Sequence, residues 1–236
     1  MHNTNIKYLK YLKYKKKYLE LKKDKYKQLY IIELKKLYPE CLHDETTIKD
    51  GDKYYKDGYA TTYGEMNYEG IELLNNKLNF DNKIKYFIDF GSGRGKLPLY
   101  MANFVYNSIG IELVVERHND AIKLKNILSK NFEKITDKVE LINCDMFKYL
   151  ECVKKNNFNG GVLIWISNLC FSQELTKKLF DELVIHMPKH TIIASSKIPN
   201  ILPIEIEPIL FNNTNKLDLS MSWSKNSQIF LYKITK

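Results

Sequence analysis

The chain has 236 residues with 37 Lys and Arg against 28 Asp and Glu, and its first 37 residues carry twelve lysines opposed only by Glu20, Asp24 and Glu33. That segment accounts for the whole net charge of +9, so the basic character belongs to one appendage and not to the remainder. The length holds one sizeable α/β domain with a modest extension and excludes a second full domain. No apolar run approaches the roughly 20 residues of a membrane span, and the N-terminus lacks the apolar core of a secretory leader.

The first predicted element is a helix. From Ile6 to Leu37 there is no glycine or proline, and Tyr8, Tyr11, Tyr14, Tyr18 and Leu21 form one stripe at helical spacing, with Leu9, Leu12 and Leu19 beside it. The pattern predicts a long basic amphipathic helix, or two, that Pro39 stops. Such a helix either packs as a solvated face on the domain or binds nucleic acid, since lysines on phosphates give sequence-independent, salt-sensitive affinity. A membrane-surface role is disfavoured, because tyrosine anchors less deeply than a continuous Leu/Phe face.

Residues 42 to 66 read as a loop containing Tyr59-Ala60-Thr61-Thr62-Tyr63-Gly64-Glu65. A helix follows over 68–78. The alternation is then regular: strand 85–90, helix 96–105, strand 107–113, helix 114–130, strand 138–143, strand 161–167, helix 173–186 and strand 190–196. Lys216 to Trp223 and Gln228 to Ile234, joined by Ser224-Lys225-Asn226-Ser227, predict a terminal antiparallel hairpin. Cys41, Cys144, Cys152 and Cys170 form no C-x-x-C pair and no zinc spacing, so they are expected to be reduced, buried thiols in cytosol or nucleus, with no metal site.

Chemistry concentrates where the first strand ends. The run Phe87-Ile88-Asp89-Phe90-Gly91-Ser92-Gly93-Arg94-Gly95 reads as a strand entering a glycine turn, and Glu112 ends the next strand, where a carboxylate can bridge ribose hydroxyls. The third glycine comes one residue earlier than in a dinucleotide turn. The spacing, the preceding acid and the terminal hairpin resemble the class I methyltransferases and point to S-adenosylmethionine. Asp145, followed by Met146, ends the third strand and can accept a bond from an adenine amino group or cap a helix. Asn168 and Phe171 follow the fourth strand, either as an amide and aromatic that hold an amine or as an ordinary turn and core pair. Phe171, Trp223 and Phe230 are candidate walls of a substrate channel.

In this order the pieces resemble the DOT-type (disruptor of telomeric silencing, non-SET) histone lysine methyltransferases, over roughly residues 59 to 235. The markers are Tyr63-Gly64-Glu65, Asp89-Phe90-Gly91-Ser92-Gly93-x-Gly95, Gly110-Ile111-Glu112, Asp145, Asn168 with Phe171, Ser195-Ser196-Lys197 and Ser222-Trp223-Ser224. The resemblance implies a Rossmann-like, seven-stranded, mostly parallel sheet with a terminal antiparallel hairpin over residues 41–236, and a lysine-rich helical extension over 1–40. It implies that Thr62, Tyr63 and Glu65 close over the methionine end of S-adenosylmethionine, with Asp89, Gly91, Ser92 and Gly93 beneath it. Glu112 would hold the ribose, Asp145 with Met146 the adenine, and Asn168 would sit at the transferred methyl. Trp223 would wall the lysine channel, as would Phe171 and Phe230, the last standing where a channel tyrosine is expected.

The implied substrate is a lysine of a nucleosomal core histone, with DNA gripped by residues 1–37. A large-DNA-virus member is suggested by the Lys, Asn, Ile and Tyr bias, acting in the host nucleus or a cytoplasmic factory. The competing expectations are a DNA adenine or cytosine amino methyltransferase and a catalytically silent chromatin-binding module. Arg94 and Lys96 depart from the family pattern by putting charge in and after the turn, where Arg94 is expected to project to solvent.

Overall fold

Alternating apolar residues cover both faces of one sheet, and that decides the architecture. A computed structural model describes residues 2–39, 64–78, 83–211 and 213–236. Its elements are α1 (His2–Leu37), α2 (Tyr68–Leu78), β1 (Ile84–Phe90), α3 (Lys96–Met101), β2 (Asn107–Glu112), α4 (Val115–Thr136), β3 (Val139–Asn143), α5 (Met146–Cys152), β4 (Gly161–Ile166), α6 (Gln173–His186), β5 (Ile192–Ser195), β6 (Ile206–Pro208), β7 (Lys216–Met221) and β8 (Ser224–Ile234). The order across the sheet is β3-β2-β1-β4-β5-β8-β6, with β7 also paired to β8. The first five strands run parallel and β8 enters antiparallel.

Among the described residues eight strands stand where seven were expected, because the outer edge of β8 is shared end to end by two short strands. β6 pairs with Tyr232 to Ile234, and β7 with the stretch from Ser224 to Phe230. The hairpin turn also moves. Met221 pairs with Ser224, so the chain reverses at Ser222-Trp223, and the polar Ser224 to Ser227 form an exposed strand end and not the turn.

Strand parity sorts the core into two layers. Phe87, Leu163, Trp165, Ala194, Ile229 and Leu231 face α1 to α4. Ile88, Phe90, Ile164, Ile166, Ile193 and Tyr232 face α5 and α6. Helix α4 runs six residues beyond its predicted end and kinks at Phe132, whose ring meets Tyr26 and Tyr30 of α1 at 5.4 and 5.5 Å.

Helix α1 therefore has two halves of different character. Tyr30, Leu34 and Tyr38 are buried, and Tyr30 donates to the Leu99 carbonyl at 2.8 Å. Tyr11, Leu12, Tyr14, Tyr18, Leu19 and Leu21 are exposed among the lysines. The cysteine expectation is corrected: Cys152 and Cys170 are exposed and Cys144 is half-buried, since Cys152 ends α5 and Cys170 lies in a surface turn. Cys41 lies outside the described residues. Among the described residues no group of His, Cys, Asp or Glu gathers into a metal site, and no helix is long and apolar enough to cross a membrane.

Candidate active site

The glycine turn is built by backbone geometry that side chains would oppose. Gly91, Gly93 and Gly95 have φ of 85°, 55° and 81°, in the left-handed region where glycine is at ease. The turn folds onto β2 through bonds from the Gly91 and Ser92 amides to the Ile111 carbonyl, 2.8 and 3.0 Å. Close approach there needs Gly110, where a Cβ would fall 2.8 Å from Pro98 and 2.9 Å from Ser92. Glu112 then braces the turn from β2. Its Oε2 accepts from the Gly93 amide at 2.7 Å and its Oε1 from the Val114 amide at 2.8 Å.

Over the turn lies a cleft lined by Gly64, Glu65, Met66, Asp89, Gly91, Ser92, Gly93, Lys96, Trp165 and Ser167. Burial, then the neighbouring Glu112 and Glu65 carboxylates, push the Asp89 carboxyl well above its usual range. Burial also raises Glu112, against lowering by the Val114 amide, Arg117 and the Gly93 and Leu113 amides. A cationic ligand would relieve this crowding.

The seam closing the cleft joins two segments distant in sequence. The Glu65 amide donates to Ser222 Oγ at 3.0 Å, and the Ser222 amide returns a bond to the Glu65 carbonyl at 2.7 Å. Gly64 lies against the Trp223 indole so closely that a Cβ would meet Cζ3 at 2.2 Å. Gly64→Ala should therefore displace the indole, at a cost of about 1–3 kcal/mol from overpacking. Trp165 is buried and Trp223 is 44 % exposed, so a red-shifted tryptophan emission reports the displacement. Unchanged emission would show that the ring does not rest there.

Ser167 lines this cleft, whereas Asn168 is fully buried, with its amide committed to the segment that leaves β5. Its Oδ1 accepts from the Lys197 amide at 2.9 Å and lies 2.8 Å from Ser195 Oγ, while its Nδ2 donates to the Lys197 carbonyl at 2.9 Å. Lys197 Nζ caps the Phe171 carbonyl, so Asn168, Phe171 and Ser195-Ser196-Lys197 form one clamp. Phe230 adjoins it, half-buried and paired with Ser195 across β5 and β8. Asp145 Oδ1 caps α5 by accepting from the Phe147 amide at 2.7 Å, and Met146 is buried behind it. Thr62 and Tyr63 lie outside the described residues.

Arg94 and Lys96 turn inward. Arg94 sets its guanidinium 5.7 Å from the Tyr38 ring centre, with Nε 3.5 Å from Asp120 Oδ2, so it is not solvent-directed as expected. Lys96 Nζ is 2.8 Å from Glu65 Oε2, at an angle outside hydrogen-bonding geometry. Lys96, Trp165 and Ser167 were not singled out as cleft residues from the sequence; for the latter two, the alternation Trp165, Ser167 along one strand face was the available signal.

The strand order, the antiparallel β8, the glycine turn and the acid that ends β2 define a class I S-adenosylmethionine-dependent methyltransferase fold. The family model described as "Histone methylation protein DOT1" matches residues 45–229, and the chain belongs to that family. No curated protein matches the chain by sequence. Among solved structures it is similar in fold to a putative methyltransferase, yhhF, from Escherichia coli, at TM-score 0.51 and 15% identity over 72% of this chain and 87% of that one. A SAM-dependent methyltransferase from Aquifex aeolicus gives TM-score 0.50 and 14% identity over 80% of this chain and 100% of that one.

The methyl donor of the class, S-adenosylmethionine, fits the residues present. Its positive charges suit the crowded carboxylates, and a Cβ on Gly91 would meet nothing within 4 Å, which leaves the turn open on that side. The sign of the pH dependence follows. Because the free Asp89 carboxyl is raised and a cationic donor beside it would favour its ionised form, binding releases protons, and affinity should strengthen as pH rises toward the raised value of the free carboxyl. Calorimetry across that range should show this slope, and Asp89→Asn should bind more weakly with a flatter slope. In the donor-free protein the raised carboxyl contributes its full stability below its ordinary value and loses it progressively as pH climbs through its folded value. Asp89→Asn should therefore also raise the neutral-pH unfolding midpoint.

Proposed function

We propose that the protein is an S-adenosylmethionine-dependent histone-lysine N-methyltransferase acting on a nucleosomal core-histone lysine, with the lysine-rich half of α1 contacting DNA. The observation that carries the reading is the seam between Gly64-Glu65 and Ser222-Trp223. It joins two segments inside the family match and places an exposed indole beside the donor cleft. In this reading Glu112 holds the ribose, Asp145 with Met146 the adenine, and Asp89, Gly91, Ser92 and Gly93 lie under the methionine end. Thr62, Tyr63 and Glu65 close over it.

When bound, the donor supplies an electrophilic methyl group, and the protein's work is to orient the amine and exclude water. Phe171, Trp223 and Phe230 wall the approach of the lysine. An apolar, aromatic passage disfavours the ammonium and so favours the neutral amine that attacks. Asn168 acts by holding the turn from Ser167 to Phe171 through Lys197, whose amide donates to its carbonyl and whose carbonyl accepts from its Nδ2. Asn168→Ala strands the Lys197 amide at about 1–3 kcal/mol, while the Lys197 carbonyl keeps Ser195 Oγ at 2.7 Å. It should lower turnover more than donor affinity, and equal losses would mean that it builds only the donor pocket.

The composition supports a large-DNA-virus enzyme working in the host nucleus or a cytoplasmic factory on host or virus-encoded histones. Labelled donor incubated with nucleosomes, free histones and naked DNA tests the substrate. Label on a core-histone lysine in nucleosomes, located by mass spectrometry, is expected. Label on DNA alone would establish the DNA amino methyltransferase instead, and no saturable donor binding would leave a silent chromatin-binding module.

A further inference from the structure

The buried end of the lysine-rich helix reaches the donor cleft. Tyr38 is 3 % exposed, and its hydroxyl donates to Glu65 Oε1. The other oxygen, Oε2, lies 2.8 Å from Lys96 Nζ, which is enclosed between the rings of Tyr38 and Tyr68 at 5.5 and 5.3 Å. Tyr68 in turn donates to the Tyr38 carbonyl at 2.8 Å, and Arg94 from the glycine turn sits over the Tyr38 ring. One carboxylate therefore joins three parts of the chain: α1, the strap before α2 and the start of α3.

A buried ion pair is a weak source of net stability, because desolvating both charges offsets much of their attraction; what it does well is specify geometry. Here the geometry specified is that of Glu65. Its segment forms no helix or strand and touches the hairpin turn through Ser222. Without Tyr38 and Lys96 the carboxylate would keep its burial and lose two of the partners that orient it over Asp89 and the glycine turn.

We infer that Tyr38 and Lys96 are positioning residues for donor binding, which hold the Glu65 carboxylate at the amino-acid end of the donor and make α1 part of that site. The inference rests on the placement of Glu65 over the methionine end proposed above. The lysine-rich helix is then no detachable tail, since Tyr38, the residue that follows α1 and bonds back to Leu34, shapes the cleft.

Two ligands separate this role from a merely structural one. S-adenosylhomocysteine carries the amino-acid end, whereas 5′-methylthioadenosine keeps the nucleoside and lacks it. Their affinities are measured by calorimetry on the full chain, for wild type, Tyr38→Phe and Lys96→Met. Tyr38→Phe retains the ring and its packing and removes only the hydroxyl, so it should stay folded with an unfolding midpoint close to wild type.

The expected result is a loss of about tenfold in S-adenosylhomocysteine affinity, from one charge-assisted hydrogen bond, with 5′-methylthioadenosine unchanged. Lys96→Met should show the same selectivity with a larger loss. Equal losses for both ligands, or unchanged or tighter S-adenosylhomocysteine binding by Tyr38→Phe, would overturn the inference. Binding of neither ligand by the wild-type chain would instead overturn the donor reading, and this inference with it.

Discussion

Glu112→Gln is expected to weaken S-adenosylhomocysteine binding by about a hundredfold while leaving the sheet folded. The carboxylate accepts from the Gly93 and Val114 amides, one on each oxygen. Glutamine offers one acceptor, and its amide nitrogen must then face a backbone N–H. Each charge-assisted bond is worth about 1.5–3 kcal/mol, and an unsatisfied buried donor costs a further 1–3 kcal/mol. Gly93 is thereby released from the conformation on which the cleft depends, and the proposed ribose contact is lost with it. Calorimetry measures the loss, and far-ultraviolet dichroism checks the fold. Near-wild-type affinity would show that the turn holds itself and that the carboxylate contributes little to the donor site.

Cutting the N-terminal helix at two places should produce opposite outcomes. Removal of residues 2–25 should leave a folded protein that binds donor, because the side chains described from Tyr11 to Lys25 are mostly exposed. Removal of residues 2–38 strips Tyr30, Leu34 and Tyr38 from the core, along with the contacts of Tyr26 and Tyr30 to Phe132. Losses of about 2–5 kcal/mol for a buried leucine and 3–5 kcal/mol for a buried aromatic sum to a value near the whole stability of an ordinary domain, about 5–15 kcal/mol. The longer deletion is expected to unfold or aggregate, read by thermal denaturation. The shorter one should weaken nucleosome binding and flatten its dependence on salt. An unchanged salt slope would assign the exposed lysines a role other than DNA contact.

The regular alternation of strands and helices was legible because each element announces itself locally, by period or by a glycine at a turn. What escaped was short or polar. β6 has only three residues, Ile206 to Pro208, and takes its place from pairing with β8. Helix α5, seven residues long, is too short for its period to show and was signalled only by its cap, Asp145. The hairpin turn was misplaced because Ser224 to Ser227 are polar for a different reason: they end an exposed strand.

The candidate site divides in the same way. The left-handed turn at Gly91, Gly93 and Gly95 and the acid Glu112 beside it were legible in the sequence, since a glycine turn and an acid at a strand end are properties of neighbouring residues. The roles of Asn168, Lys96 and Arg94 were not. Asn168 is committed by Lys197, 29 residues on in the chain, which no local pattern reveals. Lys96 meets Glu65, Tyr38 and Tyr68, which the chain brings together only when α1 and the strap pack on α3.

Sequence alone thus determined the α/β class, the glycine turn with its acid and a basic helix, because backbone conformation and hydrophobic period are set within a few residues. The tertiary structure decided that the helix is half core and half free surface, that Asn168 is a clamp, and that the two unexpected cations point inward. Burial and ion pairing depend on residues far apart in the chain, whose meeting no local pattern encodes.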